Sequence, residues 1–294
     1  MLLAFGNRRA HTGLMFQFRR HCWLIVLLLL CAESVHAQGL AATACVGDRL
    51  HSGSFEAHEI PDASAGSMAP ATGDVAASVL VTATGATRPF HLRVPPPYDP
   101  GVAWPLLVAL HGAPGSPALS DTFARGVRSD FAALADTRGF IVLAPVAGGP
   151  TFGSWNPPAD TAAVFAMIAE VEARYRIDRR RRYLWGFSAG GHYGHGVVLG
   201  NADFFAAYGV NAGVLQGYAG NSAPALATRR IPVSIRVGDV DSLAPLARND
   251  RSVFEAVGWQ DGIELRYAEF SGGHTYTGSD LQAQWDAACR WSRP

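Results

Sequence analysis

Apolar runs alternate with amphipathic stretches along most of the chain. Residues 104–112 (WPLLVALHG) and 140–146 (FIVLAPV) are continuously apolar, which is typical of strands buried on both faces of a parallel sheet. Apolar residues at helical spacing fill 121–139 and the stretch that begins at Asp160. Alternating strands and helices predict an α/β fold, with a mostly parallel central sheet and helices on both faces.

Shorter apolar runs predict the remaining strands at 78–83, 88–95, 181–187, 205–213, 231–239 and 263–270. Further helices are predicted at 188–201, within 241–262 and at 281–294. The stretch 38–75 is rich in Ala, Gly, Ser and Pro and has little periodicity, so we expect a flexible N-terminal segment there. Residues 76–294 then form a single domain.

The first residues have the order of a secretory signal peptide. A basic stretch precedes the apolar run 22–32, and Val35 and Ala37 stand like the small residues before a cleavage site. The apolar run is short for a membrane span. We therefore expect a signal peptide over 1–37, with Met15 as an alternative start, and a secreted or periplasmic protein without a stable membrane span.

Export changes the interpretation of the cysteines. Cys45 and Cys289 are the two that remain after cleavage, and an even pair in an oxidising compartment favours a disulfide. A lipid attached to Cys45 is the alternative.

Composition removes several classes of function. The 24 basic and 24 acidic residues cancel, so the chain has no general attraction to nucleic acid or to an anionic membrane. Every basic residue is arginine, which excludes a lysine Schiff base and a phosphate-binding P-loop lysine. Composition therefore leaves a globular enzyme without net charge as an open class. It does not predict the oligomeric state.

Residues 186–190 (GFSAG) match G-x-S-x-G between a predicted strand and a predicted helix, as a nucleophile elbow requires. A glycine-rich turn that only packs closely is the alternative. A serine nucleophile needs a base, and in this architecture the acid and the histidine follow the serine. His274 is the single histidine after the elbow helix. Asp241 is the preferred acid, with Asp239 as a turn residue that bonds to its own backbone.

An oxyanion hole requires two backbone donors. We expect them to be the N–H groups of Ala189 and of Ala113, which follows the pair His111-Gly112. His111 is expected to be structural. Trp155 and Tyr276 are candidates for substrate binding, with a core position as the alternative for Trp155.

These motifs resemble those of the secreted α/β-hydrolase esterases grouped with polyhydroxybutyrate depolymerases and feruloyl or acetylxylan esterases. The resemblance runs from about Ser78 to Trp291 and rests on LLVALHG, IDRRRRYLWGFSAGG, FFAAYGVNAG, GDVDSLAP and GGHTY. It implies an α/β-hydrolase fold and triad roles for Ser188, Asp241 and His274.

Two other features have simple interpretations. The arginines at 179–182 are expected to form a solvated connection at the amino end of the strands, with an anion site as the alternative. His192 and His195 have a spacing that can bind metal, but packing is the preferred interpretation because no third ligand lies nearby in sequence.

The sequence therefore predicts a secreted serine esterase that acts on small or polymeric esters through an acyl-enzyme, without a metal or cofactor. A serine peptidase on the same fold and a non-catalytic binding protein on a hydrolase scaffold are the alternatives.

Overall fold

The computed structural model describes residues 62–66, 71–157 and 159–293. The predicted signal peptide and Cys45 lie outside the described residues. The described chain forms one eight-stranded sheet. Its strands are β1 (Gly73–Val81), β2 (Ala86–Val94), β3 (Trp104–Leu110), β4 (Ile141–Pro145), β5 (Ile177–Phe187), β6 (Ala207–Asn211), β7 (Val233–Gly238) and β8 (Leu265–Phe270).

The strand order across the sheet is β1-β2-β4-β3-β5-β6-β7-β8. Strands β3 to β8 run parallel to one another, whereas β2 is antiparallel to both β1 and β4. The carboxyl ends of six strands therefore meet at one edge, where loops can converge on a common site.

Helices cover both faces of the sheet. They are α1 (Ser120–Arg138), α2 (Ala159–Arg174), α3 (Ala189–Leu199), the single turn α4 (Ala223–Leu226), α5 (Ala244–Ala256) and α6 (Gly278–Ala288). One core cluster joins α2, α3 and α5 to the sheet, and a second joins α1 and α6 to the opposite face. The predicted fold class, a mostly parallel sheet with helices on both faces, is confirmed.

The N-terminal part of the sheet begins earlier than the sequence predicted. Strand β1 starts at Gly73, not at residue 78, and takes in residues assigned to the flexible segment 38–75. Within the same segment, Ser64 is buried and its hydroxyl donates to the carbonyl of Tyr175 at 2.6 Å. Residues 62–66 and 71–75 are thus bonded to the domain, because their backbone groups find partners on β2 and β5.

The arginines at 179–182 belong to β5 rather than to a solvated connection, so that prediction is wrong. Arg182 is buried, bonds to Glu172 at 3.1 Å and places its guanidinium 3.5 Å from the centre of the Phe204 ring. Arg181 bonds to Asp178 at 2.6 Å. Carboxylates and an aromatic face satisfy these cations at the amino end of the strand, opposite Ser188, which argues against an anion site.

Candidate active site

Ser188 occupies a sharp turn between β5 and α3. Its backbone has φ 52° and ψ −120°, a region that few residues with a side chain adopt. The close approach of α3 to β3 enforces the turn, since a Cβ at Gly190 would lie 2.5 Å from the carbonyl oxygen of Leu110. The G-x-S-x-G stretch therefore folds as the strand–turn–helix that its sequence predicts.

The structure brings the three predicted triad residues together. The hydroxyl oxygen of Ser188 lies 2.7 Å from Nε2 of His274, and Nδ1 of His274 lies 2.8 Å from Oδ2 of Asp241. The Asp241 side chain is fully buried, whereas the His274 side chain is 42 % exposed. A buried carboxylate that accepts from Nδ1–H leaves Nε2 free to accept the serine proton.

Asp241 is fixed by its own turn. It follows β7, its N–H donates to the carbonyl of Gly238 at 3.1 Å, and its Oδ1 accepts from the N–H of Leu243 at 2.9 Å. Oδ2 is the oxygen that remains for His274. The choice of Asp241 as the partner of the histidine thus agrees with the geometry.

Asp239 has a different contact from the one predicted. Its Oδ1 accepts from the N–H of Gly272 at 3.0 Å, so it bonds to the histidine loop and not to its own backbone. The N–H of Val240 donates to the carbonyl of Gly272 at 3.1 Å, in the opposite direction. These bonds join the loop after β7 to the loop after β8.

The loop after β3 reaches Ser188. A Cβ at Gly112 would lie 3.2 Å from Cβ of Ser188, which is tighter than an ordinary contact, so the glycine lets the two backbones approach closely. Ala113 is the next residue and is exposed. Ala189 is the first residue of α3, where the N–H has no partner within the helix. Of the two residues predicted as oxyanion donors, Ala189 thus follows Ser188 directly, and Ala113 follows the glycine that lies against Ser188.

His111 has the structural position that the sequence predicted. Its Nδ1–H donates to the carbonyl of Gly112 at 2.7 Å, and its Nε2 accepts from the N–H of Ala147 at 3.2 Å. Burial lowers its pKa, so the ring stays neutral. The neutral ring joins the loop after β3 to the loop after β4.

Trp155 is a core residue and not an open wall of a substrate pocket. It is 3 % exposed, its indole N–H donates to the carbonyl of His111 at 2.8 Å, and its ring stacks on Tyr193 with centres 4.9 Å apart. These contacts favour the core position that the sequence left open as the alternative for Trp155, because its polar and apolar parts are both used inside the protein.

Tyr276 also makes internal contacts. Its hydroxyl donates to Oδ2 of Asp130 on α1 at 2.5 Å, and its ring packs edge-on against Trp185 and Phe187. Burial and the Asp130 carboxylate both raise the pKa of the Tyr276 phenol. The side chain is partly exposed, so a substrate contact stays a prediction, but the bond to Asp130 gives it a second role as an anchor.

His192 and His195 bond to different partners. Nδ1 of His195 lies 3.1 Å from the hydroxyl of Tyr208, in a buried site where desolvation lowers the His195 pKa to about 3. Nδ1 of His192 accepts from the N–H of Val214 at 2.8 Å. Among the described residues, no three His, Cys, Asp or Glu side chains are grouped as metal ligands.

Sequence reasoning missed three carboxylates around the site. Asp160 accepts from Arg88 at 2.7 Å and from the N–H of Asn156 at 2.7 Å, which secures the loop after β4. Asp250 is buried and accepts from the N–H of Leu215 at 2.9 Å. Asp130 bonds to Tyr276. Only Asp160, at the start of a helix, carried a local signal in the sequence.

This arrangement defines the class of fold. A strand–elbow–helix with a serine, followed by an acid after β7 and a histidine after β8, is the α/β-hydrolase architecture. A solved structure of a ferulic acid esterase has a TM-score of 0.58 to this chain at 18% identity, covering 74% of this chain and 98% of that one. At this level of identity the likeness concerns the fold.

Residues 90–247, just over half of the chain, match the family described as esterase PHB depolymerase. The chain belongs to this family. A bifunctional acetylxylan esterase/xylanase of Neocallimastix patriciarum is 26% identical over 240 residues, covering 71% of this chain and 34% of the relative. A probable feruloyl esterase C of Aspergillus terreus is 28% identical over 139 residues, covering 47% of this chain and 51% of the relative. This chain spans about a third and about half of these relatives.

Proposed function

We propose that this protein is a serine esterase that hydrolyses carboxylic esters through an acyl-enzyme. The single observation that carries the proposal is the hydrogen-bonded series from Ser188 to His274 to the buried Asp241. Two comparisons support an ester of the acetylxylan or feruloyl type as the substrate. The chain belongs to an esterase family, and its relatives are named as an acetylxylan esterase and a probable feruloyl esterase.

The first half of the proposed reaction forms the acyl-enzyme. Nε2 of His274 takes the proton as the Ser188 oxygen attacks the ester carbonyl, and Asp241 stabilises the imidazolium. The carbonyl oxygen becomes negative and is stabilised by the N–H groups of Ala113 and Ala189. His274 then gives its proton to the departing alcohol, and the acyl group stays on Ser188.

The second half releases the acid. Water enters from the solvent-exposed side of His274, loses a proton to Nε2 and attacks the acyl carbonyl. The tetrahedral intermediate collapses, the acid leaves and the serine proton is restored. No metal or cofactor takes part in this scheme.

The N-terminal sequence bears on where the protein acts. We propose that it is secreted or periplasmic, on the basis of the signal-like order of residues 1–37. In the described part of the chain, no helix has the length and hydropathy needed to cross a membrane.

A hydrolysis screen tests the proposal. The purified full chain is assayed with p-nitrophenyl acyl esters, methyl ferulate, acetylated xylan and short polyhydroxyalkanoates, alongside Ser188→Ala and a peptide substrate. Ester turnover that the variant loses, with no peptide cleavage, supports an esterase. Peptide cleavage would favour a peptidase, and a folded wild type that is inert toward every ester would favour a binding protein.

A further inference from the structure

His192 lies close to the nucleophile in a position that the proposed reaction does not use. It is on the first turn of α3, four residues after Ser188, and its N–H donates to the Ser188 carbonyl at 2.9 Å. Residues four apart lie on the same face of a helix, about 6 Å apart along its axis. The His192 backbone is therefore one helical turn beyond Ser188, which is itself the non-helical residue before α3.

The contacts of His192 fix which nitrogen carries the proton. Nδ1 lies 2.8 Å from the N of Val214 and 3.1 Å from its carbonyl oxygen. The backbone N–H of Val214 points at Nδ1, so Nδ1 must be the acceptor and Nε2 must carry the proton in the neutral ring. Burial, and then the charge of His274, lower the His192 pKa and keep the ring neutral.

The N–H at Nε2 is available. No described residue bonds to this nitrogen. It is also absent from the buried side-chain atoms that lack a hydrogen-bond partner, which include Nε2 of His195, so Nε2 of His192 is not fully buried. The backbone of Gly217 lies against the rest of the ring, with the site of a Gly217 Cβ 2.3 Å from Cγ of His192. The ring is thus held rigidly with one donor free.

The sheet order shows which part of a substrate this donor faces. Val214 follows β6, which lies beside β7, and β8 is the next strand out; β7 and β8 are the strands that precede Asp241 and His274. Ala113 follows β3, on the other side of β5. The base returns its proton to the leaving alcohol, so the alcohol lies on the histidine side and the carbonyl oxygen on the Ala113 side.

We propose that Nε2–H of His192 donates a hydrogen bond to an oxygen in the alcohol part of the ester. His192 thereby favours alcohols that carry an ether or hydroxyl oxygen near the ester bond over purely aliphatic ones. This inference rests on the proposed esterase function and assigns a specificity role to a residue that sequence reasoning treated as packing.

Two esters of one acid test it: the n-butyl ester and the 2-methoxyethyl ester, which have the same length but differ by one ether oxygen. The acid is the one that wild type hydrolyses fastest in the screen above. The measured quantity is the ratio of kcat/KM for the methoxyethyl ester to that for the butyl ester. Comparing this ratio between variants cancels the different intrinsic reactivity of the two alcohols.

A matched pair of variants separates the two nitrogens. His192→Asn keeps an acceptor for the Val214 N–H but has no donor at the Nε2 position, and His192→Gln keeps a donor there but loses the Nδ1 acceptor. We expect His192→Asn to lower the ratio about fivefold, which corresponds to about 1 kcal/mol for one hydrogen bond. His192→Gln should keep a ratio closer to that of wild type.

An unchanged ratio in both variants, or a loss in His192→Gln alone, would overturn the inference while leaving the esterase intact. A wild type that hydrolyses no ester in the screen would instead remove the proposed function, and this inference with it. Thermal unfolding checks that each variant folds. Independently, 15N NMR of the wild-type histidines should find the His192 proton on Nε2, and a proton on Nδ1 would contradict the assignment.

Discussion

Ser188, the proposed nucleophile, has a strained backbone. A residue with φ 52° and ψ −120° costs about 1–3 kcal/mol, and the strain persists because α3 packs too closely on β3 for the chain to relax. The benefit is geometric, since the turn points the hydroxyl at Nε2 of His274 at the carboxyl end of the sheet. G-x-S-x-G could be recognised in the sequence because this backbone tolerates so few residues.

Asp241 and Asp239 form a matched pair for testing the roles of two neighbouring carboxylates. Asp241→Asn replaces the acceptor for Nδ1–H with an amide, which favours the wrong imidazole tautomer, so kcat should fall by roughly a thousandfold or more. Asp239→Asn keeps an oxygen that accepts from the Gly272 N–H and should leave kcat within a few-fold. Steady-state kinetics of the two folded variants provides the test, and the reverse ranking would show that Asp239 is the true partner.

Asp250 makes the stability of the fold depend on pH. Burial raises the pKa of this carboxyl from its ordinary 3.8 to about 7, and only the N–H of Leu215 opposes the shift. Between these values the folded protein keeps a proton that the unfolded chain has released. The free energy of unfolding should therefore fall as the pH rises from about 4 to about 7.

Asp250→Asn resembles the protonated acid and still offers an oxygen to the Leu215 N–H. Between about pH 5 and about pH 7.5, wild type should lose about 2 kcal/mol of unfolding free energy that the variant keeps. Denaturant unfolding of both proteins at the two pH values measures this difference. Parallel pH profiles would mean that Asp250 titrates in the folded protein much as it does in the unfolded chain.

At the scale of elements, the loop that carries His274 is attached at three points. Gly272 bonds to Asp239 before the histidine, and Tyr276 bonds to Asp130 of α1 after it. The third attachment is the capping box of α6, in which Asp280 accepts from the N–H of Thr277 at 2.9 Å while pairing with Arg236 on β7. The base is thus positioned by contacts with α1, β7 and the acid loop.

Loss of the Tyr276 hydroxyl should loosen this loop without removing any triad atom. Tyr276→Phe keeps the ring contacts with Trp185 and Phe187 but loses the bond to Asp130, so kcat should fall about fivefold with little change in KM. Asp130→Ala removes the acceptor and should have a similar effect, and the double variant should be hardly worse than either single one, since both break one bond. Additive losses would indicate separate roles for the two residues.

The order of elements was predictable and their edges were not. Buried parallel strands such as β3 and β4 are continuous apolar runs, so their sequences identify them. Strand β5 extends into the arginines because its amino end pairs with β3 while the guanidinium groups reach Glu172 and Phe204, partners that lie elsewhere in the sequence. Strand β1 begins early because it pairs residue by residue with β2.

The grouping of Ser188, Asp241 and His274 was predictable because few candidates existed, whereas the supporting contacts were not. A single histidine followed the elbow helix, and the glycine turn after β7 pointed to two aspartates. The bond between Tyr276 and Asp130 joins residues 146 positions apart, and no local pattern indicates such a contact. Trp155 could be assigned to the core only once its indole N–H was found on the His111 carbonyl.

At the scale of the whole molecule, the proposed cleavage of a signal peptide leaves Cys45 and Cys289, which we predict to form a disulfide. Cys289 is buried at the end of α6, and Cys45 lies outside the described residues, so the pairing stays a prediction. A bond that closes so long a loop restricts the unfolded chain, which stabilises the fold. Thiol titration of the exported, unfolded and unreduced protein should find no free thiol, and two thiols would contradict the pairing.

The most direct test of the central claim is covalent labelling of the nucleophile. The full chain is treated with a fluorophosphonate, and the modified residue is located by mass spectrometry of its peptides. An activated serine attacks phosphorus and keeps the adduct, whereas an ordinary hydroxyl does not react. We predict a single adduct on Ser188, which His274→Ala greatly slows. An unlabelled folded protein, or an adduct on another residue, would contradict the assignment of Ser188 as the nucleophile.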